Sequence, residues 1–93
     1  MEEDHIKKIA VVGAGTMGHS TAEVYAINGH DVILIDLSDE ILRSAIERIR
    51  WSLEGLAGRG LIKEPIDAIL RWTKATTSYE DAKDVDFVIE CGG

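Results

Sequence analysis

A single cysteine, Cys91, rules out an internal disulfide framework and any multi-cysteine metal site, and it suits a reducing, cytoplasmic setting. The chain has no apolar stretch near the 18 or more residues that a membrane span needs. Its first residues, Met1-Glu-Glu-Asp-His5, lack the basic and apolar regions of a signal peptide, so no leader is expected. Cations are scarce. Ten Lys and Arg stand against 17 Asp and Glu, a formal charge of −7, and no Lys/Arg cluster offers a phosphate backbone a footing, so nucleic acid is not an expected partner. What remains is a 93-residue chain, 45% hydrophobic and 29% charged, with the make-up of one small globular domain over residues 1–93. By size scaling such a chain buries about 60–65% of its unfolded surface, so its stability margin is thin.

Glycine, by contrast, is placed with purpose. In Ile9-Ala-Val-Val-Gly13-Ala-Gly15-Thr-Met-Gly18 an apolar run enters three glycines spaced GxGxxG, and a helical pattern leaves them. A dinucleotide-binding strand-to-helix turn requires that order. Gly13 would turn the chain tightly out of the strand, Gly15 would let backbone approach a pyrophosphate, and Gly18 would let the helix lie close to the sheet. The phosphates then meet the N–H groups and positive dipole end of a helix beginning at Thr16 and Met17, which lets an acidic chain bind an anion. A second apolar run, Asp31-Val-Ile-Leu-Ile-Asp36, ends in an acid 18 positions after Gly18, close to the fingerprint's spacing of about 20. Asp36 would accept hydrogen bonds from the adenosine ribose. The same carboxylate would repel a 2′-phosphate, and Leu37 and Ser38 supply no cation to receive one, so NAD is favoured over NADP. The competing reading is that Asp36 only ends a strand or begins a cap.

Along the chain, residues 6–12 read as a first strand, and a helix follows from about Thr16 to Asn28 with Gly29 as its left-handed cap. Ser38 is an N-cap for a second helix, whose first turn carries Asp39 and Glu40. Ile41, Leu42, Ala45, Ile46, Ile49, Leu53 and Leu56 form its buried stripe. Gly55, Gly58 and Gly60 weaken helix and predict a turn near there. A shorter helix spans about Glu64 to Arg71, with Pro65 in its first turn and Ile66, Ile69 and Leu70 inward. Residues 73–78 make a third strand, Glu80–Asp84 a short solvated helix, and 85–90 a fourth strand. Strands alternating with helices imply an α/β, Rossmann-like parallel sheet in the order 3-2-1-4, with a helical hairpin before strand 3: half of a doubly wound domain, its cofactor across the carboxyl ends of strands one and four.

These residues resemble the NAD-dependent L-3-hydroxyacyl-CoA dehydrogenases. The resemblance rests on Lys8-Ile-Ala-Val-Val-Gly-Ala-Gly-Thr-Met-Gly18, Asn28-Gly-His-Asp-Val-Ile-Leu-Ile-Asp36 and Asp84-Val-Asp-Phe-Val-Ile-Glu-Cys91, together with the helical hairpin, and spans nearly the whole chain. It implies oxidation of a 3-hydroxyacyl-CoA to the 3-ketoacyl-CoA, with NAD accepting the hydride. Carried over residue by residue, it assigns Gly13, Gly15, Thr16, Met17, Gly18 and Asp36 to the cofactor, and Glu90 and Cys91 to its nicotinamide end. The catalytic Ser, His, Glu and Asn of that family find no matching positions here. The expectation for the chain alone is therefore cofactor binding without catalysis.

Other candidates read as structural. His19 has Glu23 one turn away, but two ligands do not make a metal site, and neither His5 nor His30 adds a third. Trp51 and Trp72 are expected to pack on the hairpin. Cys91 has no basic neighbours, so a reactive role is not expected. A second class of function stays open: a self-associating module with a vestigial cofactor motif, because an uncovered fourth strand invites a homodimer through residues 85–90.

Overall fold

An unbroken apolar run fits only a strand covered on both faces, and Ile9, Ala10 and Val11 are accordingly buried at the centre of the sheet. The structure, a computed structural model, describes residues 7–91. Ile6, His5 and the final Gly92-Gly93 lie outside the described residues. Four parallel strands, β1 (Lys8–Val12), β2 (Asp31–Ile35), β3 (Thr73–Thr76) and β4 (Phe87–Glu90), lie in the order β3-β2-β1-β4, as the alternating pattern implies. Ile9 pairs with Val32 and Phe87, and Val12 with Ile35 and Glu90, so the carboxyl ends of β1, β2 and β4 are level. That alignment gathers the glycine turn, Asp36 and Cys91 at one end of the sheet.

Ile9, Val11, Val32 and Leu34 share one sheet face by strand alternation and pack with α1 (Thr16–Ile27), α2 (Asp39–Gly58) and α3 (Ile66–Arg71). From α1 come Ala22 and Ala26, small residues that bring the helix close; from α2 come Leu42, Ala45, Ile49 and Leu53; from α3, Ile69. A 3₁₀ turn over Tyr79–Ala82 lies close to β2. This is the short element expected at 80–84, starting one residue earlier and ending two earlier.

Helix α1 ends in a double backbone closure, Gly29 N–H to the Ala26 carbonyl (3.0 Å) and His30 N–H to the Tyr25 carbonyl (3.1 Å). The same closure recurs at the end of α2, where Gly60 N–H meets the Ala57 carbonyl (3.0 Å) and Leu61 N–H the Leu56 carbonyl (2.9 Å). The sequence predicts a turn near Gly55, Gly58 and Gly60, and the helix runs through Gly58 before the chain turns at Arg59 and Gly60. Burial of Leu53 and partial burial of Leu56 hold that last turn against the core, which outweighs about 1 kcal/mol for each interior glycine.

The buried stripe of α2 is narrower than its sequence suggests. Ile41 is exposed, and Ile46 and Leu56 are only half-buried. Trp51, expected to pack, is 77% exposed. It stands two residues after Ile49 and two before Leu53, which places it on the opposite side of the helix from both. Trp72, by contrast, is half-buried against the core, where it ends α3. Pro65 precedes α3 as its N-cap rather than entering its first turn.

Candidate functional site

Gly13 leaves β1 with φ +99°, a conformation that a side chain opposes, and its N–H donates to the Ile35 carbonyl at 2.7 Å. The turn is thereby tied to the end of β2. Ala14 N–H donates to Asp36 Oδ2 at 2.9 Å, and Ser38 N–H donates to Asp36 Oδ1 at 3.2 Å. One carboxylate thus fastens the glycine turn to the entrance of α2. These amides, Ala14 foremost, hold the Asp36 carboxyl below its ordinary range; partial burial opposes them without prevailing, and the Ser38 and Leu37 amides add to the lowering. A carboxylate offers about four lone-pair positions, so two bonds to backbone leave it able to accept hydroxyl hydrogen bonds as well.

Helix α1 starts at Thr16 with Gly15 as N-cap and no side chain capping it, so the first-turn amides are not satisfied by the cap residue. The two later glycines of the motif do different work. A Cβ on Gly18 would collide with the backbone carbonyl of Gly13, so that position needs glycine to let the helix meet the turn. A Cβ on Gly15 would meet nothing within 4 Å, and its φ of −71° is open to any residue. Neither packing nor conformation inside the chain calls for glycine at 15. Its open side is where an external group can come up against backbone, which is the fit a pyrophosphate needs.

At the carboxyl ends of the strands lies a cleft of about 470 Å³ bordered by Gly13, Asp36, Leu37, Tyr79 and Glu90. It holds two carboxylates and no cation along its border. Leu37 and Tyr79 are exposed there, 80% and 55%; sequence reasoning read Leu37 only as offering no cation and passed over Tyr79. The signal for Tyr79 was its position just after β3, one of only two tyrosines in the chain. A smaller cleft of about 210 Å³ lies behind the turn, between Gly15, Thr16 and His19 of α1 and Ser44 and Arg48 of α2.

Thr16 and Met17 are exposed on the first turn of α1, and Glu90 is exposed at the end of β4. Cys91 is half-buried, its N–H on the Val12 carbonyl (2.8 Å) and its Sγ 3.8 Å from Thr21 Oγ1. His19 and Glu23 turn to separate partners. His19 Nδ1 lies 2.9 Å from the Gly15 carbonyl, and the buried Glu23 carboxylate accepts from Ser52 Oγ at 2.6 Å.

The sequence pattern described as "3-hydroxyacyl-CoA dehydrogenase, NAD binding domain" matches residues 8–92. The 3-hydroxyadipyl-CoA dehydrogenase of Escherichia coli is 38% identical over 87 residues, covering 92% of this chain and 18% of that protein. The glyoxysomal fatty acid beta-oxidation multifunctional protein of Cucumis sativus is 35% identical over 86 residues, covering 91% of this chain and 12% of that one. In solved structures, the (S)-3-hydroxybutyryl-CoA dehydrogenase of Ralstonia eutropha superposes with a TM-score of 0.89 at 33% identity, over 96% of this chain and 32% of its own. The chain therefore spans about a third or less of the length of these relatives. With its parallel sheet, its helical hairpin and its glycine turn held by Asp36, the chain belongs to the family of 3-hydroxyacyl-CoA dehydrogenase NAD-binding domains.

Proposed function

We propose that residues 1–93 act as one cofactor-binding domain of an oxidoreductase that converts a 3-hydroxyacyl-CoA to the 3-ketoacyl-CoA, a step of fatty acid breakdown. The observation that carries this reading is the Asp36 carboxylate, fixed by Ala14 N–H at 2.9 Å directly beside the glycine turn. In that reading Gly13, Gly15, Thr16, Met17 and Gly18 present backbone to the pyrophosphate, and Asp36 accepts from the adenosine ribose. Glu90 and Cys91, at the end of β4, border the path toward the nicotinamide. NAD when bound supplies the hydride acceptor for a secondary alcohol. The residues of this chain bind and orient it, and none of them is assigned a proton-transfer role.

Calorimetric titration with NAD, ADP-ribose and NADP tests the reading. Heat from the first two and none from NADP is the expected result, because the cleft border holds two carboxylates and no cation for a 2′-phosphate. Silence with all three ligands would leave the motif vestigial.

A homodimer through β4 is the second part of the proposal, supported by Phe87 and Val88, which are 56% and 62% exposed on this edge strand. A two-fold axis makes the paired β4 strands antiparallel and continues the sheet across the interface. Light scattering behind size exclusion should find a dimer that Val88→Lys converts to monomer. A monomer at every concentration would rule the pairing out. Among the described residues no helix is long and apolar enough to cross a membrane, and the one free cysteine accords with a cytoplasmic setting.

A further inference from the structure

Asn28 carries the only side-chain amide in the chain, which has no other asparagine and no glutamine. Gly29 follows it and leaves the next backbone nitrogen uncrowded, since a Cβ on Gly29 would meet nothing within 4 Å. Asn28 is exposed where α1 ends, on an open cleft of about 510 Å³ that it borders with Thr21, Val24, Tyr25 and His30. Water therefore reaches the amide. The amide and the following nitrogen are nonetheless held apart. Asn28 Nδ2 donates to the Val24 carbonyl at 2.8 Å, and Gly29 N–H donates to the Ala26 carbonyl at 3.0 Å. At a ψ of 9° the backbone nitrogen of Asn28, not its Cβ, eclipses the Gly29 nitrogen, so Cγ is turned away from it. All three restraints belong to the closing turn of α1, the part of a helix that frays first.

We infer that Asn28-Gly29 is a deamidation site whose rate is set by opening of the α1 C-terminus, whatever ligand the domain holds. Hydroxide removes the Gly29 amide proton, the nitrogen attacks Asn28 Cγ, and the Cγ–Nδ2 bond breaks as ammonia leaves with a proton from water. Water then opens either C–N bond of the cyclic imide and leaves an aspartyl or isoaspartyl residue at position 28. Nothing is oxidised or reduced. Both products undo the closure. An ionised carboxylate only accepts hydrogen bonds, so it faces the Val24 carbonyl as acceptor against acceptor, and its charge lies at the negative end of the helix dipole. The isoaspartyl form also adds an atom to the main chain just before His30 and Asp31. Those residues hold the approach to β1: Lys7 N–H donates to His30 Nδ1 at 3.1 Å, and Asp31 N–H donates to the Lys7 carbonyl at 3.0 Å. The site is thus a one-way chemical clock on the anchorage of the first strand, at the end of the sheet opposite the glycine turn.

The test incubates the chain in mildly alkaline buffer, folded and in denaturant, and follows released ammonia together with the mass and isoaspartyl content of the peptide around position 28. With no other side-chain amide present, the ammonia counts this site alone. Release should be about thirtyfold slower from the folded chain, the factor for opening two hydrogen bonds of ordinary net strength. Asn28→Gln should release almost none in either state, because a longer side chain closes a larger, slower-forming ring. Asn28→Asp, which introduces the charge without lengthening the backbone, should melt about 4–8 °C below the parent. Equal release in both states would overturn control by the helix end. No release in denaturant, or none from the folded chain over an incubation about a thousandfold longer, would overturn the site. An Asn28→Asp melt equal to the parent's would overturn the loss of closure assigned to the product's charge.

Discussion

Gly18→Ala is expected to lower the thermal midpoint by roughly 12–24 °C, whereas Gly15→Ala should leave it unchanged or slightly raised. The two glycines lie three positions apart in one motif and face opposite demands. At 18 the added methyl runs into the Gly13 carbonyl, which is backbone and has no rotamer in which to retreat. Overpacking of that kind costs about 3 kcal/mol, the upper part of its usual range, out of a total of order 5–14 kcal/mol for a chain this size. Gly13 cannot yield cheaply, since its own φ of +99° and its bond to Ile35 set the direction of the turn. At 15 the methyl meets no protein atom within 4 Å, so folding is spared and the cost falls on the ligand. NAD should then bind of order a hundredfold more weakly, because the methyl holds the pyrophosphate off the first-turn amides. Thermal melts paired with titration of each variant separate the two roles. A Gly15→Ala protein that binds NAD normally would mean that the phosphates do not approach at that position.

Asp36→Ala should reduce both stability and cofactor binding, and should narrow the preference for NAD over NADP by about tenfold or more. The stability loss, about 2 kcal/mol, follows from leaving the Ala14 and Ser38 amides without their acceptor. Loss of NAD binding alone is therefore an ambiguous result for this variant. The change in NAD-to-NADP ratio is the diagnostic part, since a loosened turn weakens both dinucleotides alike while removal of the charge favours only the phosphorylated one. The same carboxylate sets a pH dependence. Its carboxyl is held below its ordinary range in the folded chain, so its contribution to stability is fully present above the unfolded-state value, roughly pH 4, and is lost as pH falls through the folded value. Denaturant melts of the parent and Asp36→Asn should differ at pH 7 and converge in strong acid. A gap that persisted at low pH would assign the effect to shape rather than charge.

Several features were legible in the linear chain because they depend on local chemistry. The apolar run before Gly13 must be a buried strand, the acid after Ile35 must sit at a strand end, and alternating strands and helices leave few choices other than a parallel sheet in the order 3-2-1-4. The motif spacing also placed Gly13, Gly18 and Asp36 together, since parallel strands of equal length bring their carboxyl ends level. Tertiary structure decided what periodicity and propensity could not. It held α2 through Gly58, because Leu53 and Leu56 had a core to meet, and it left Trp51 in solvent, because hydrophobic character does not say which side of a helix faces inward. It supplied what lies beside each Cβ of the motif's later glycines, open space at Gly15 and the Gly13 carbonyl at Gly18. It also brought Tyr79 within one cleft of Asp36, a pairing across 43 positions that rests on Thr76 bonding to both segments. Sequence thus determined which backbone turns and which charges exist, whereas the packing of distant segments determined which of them share a surface, because only packing fixes what each side chain has for a neighbour.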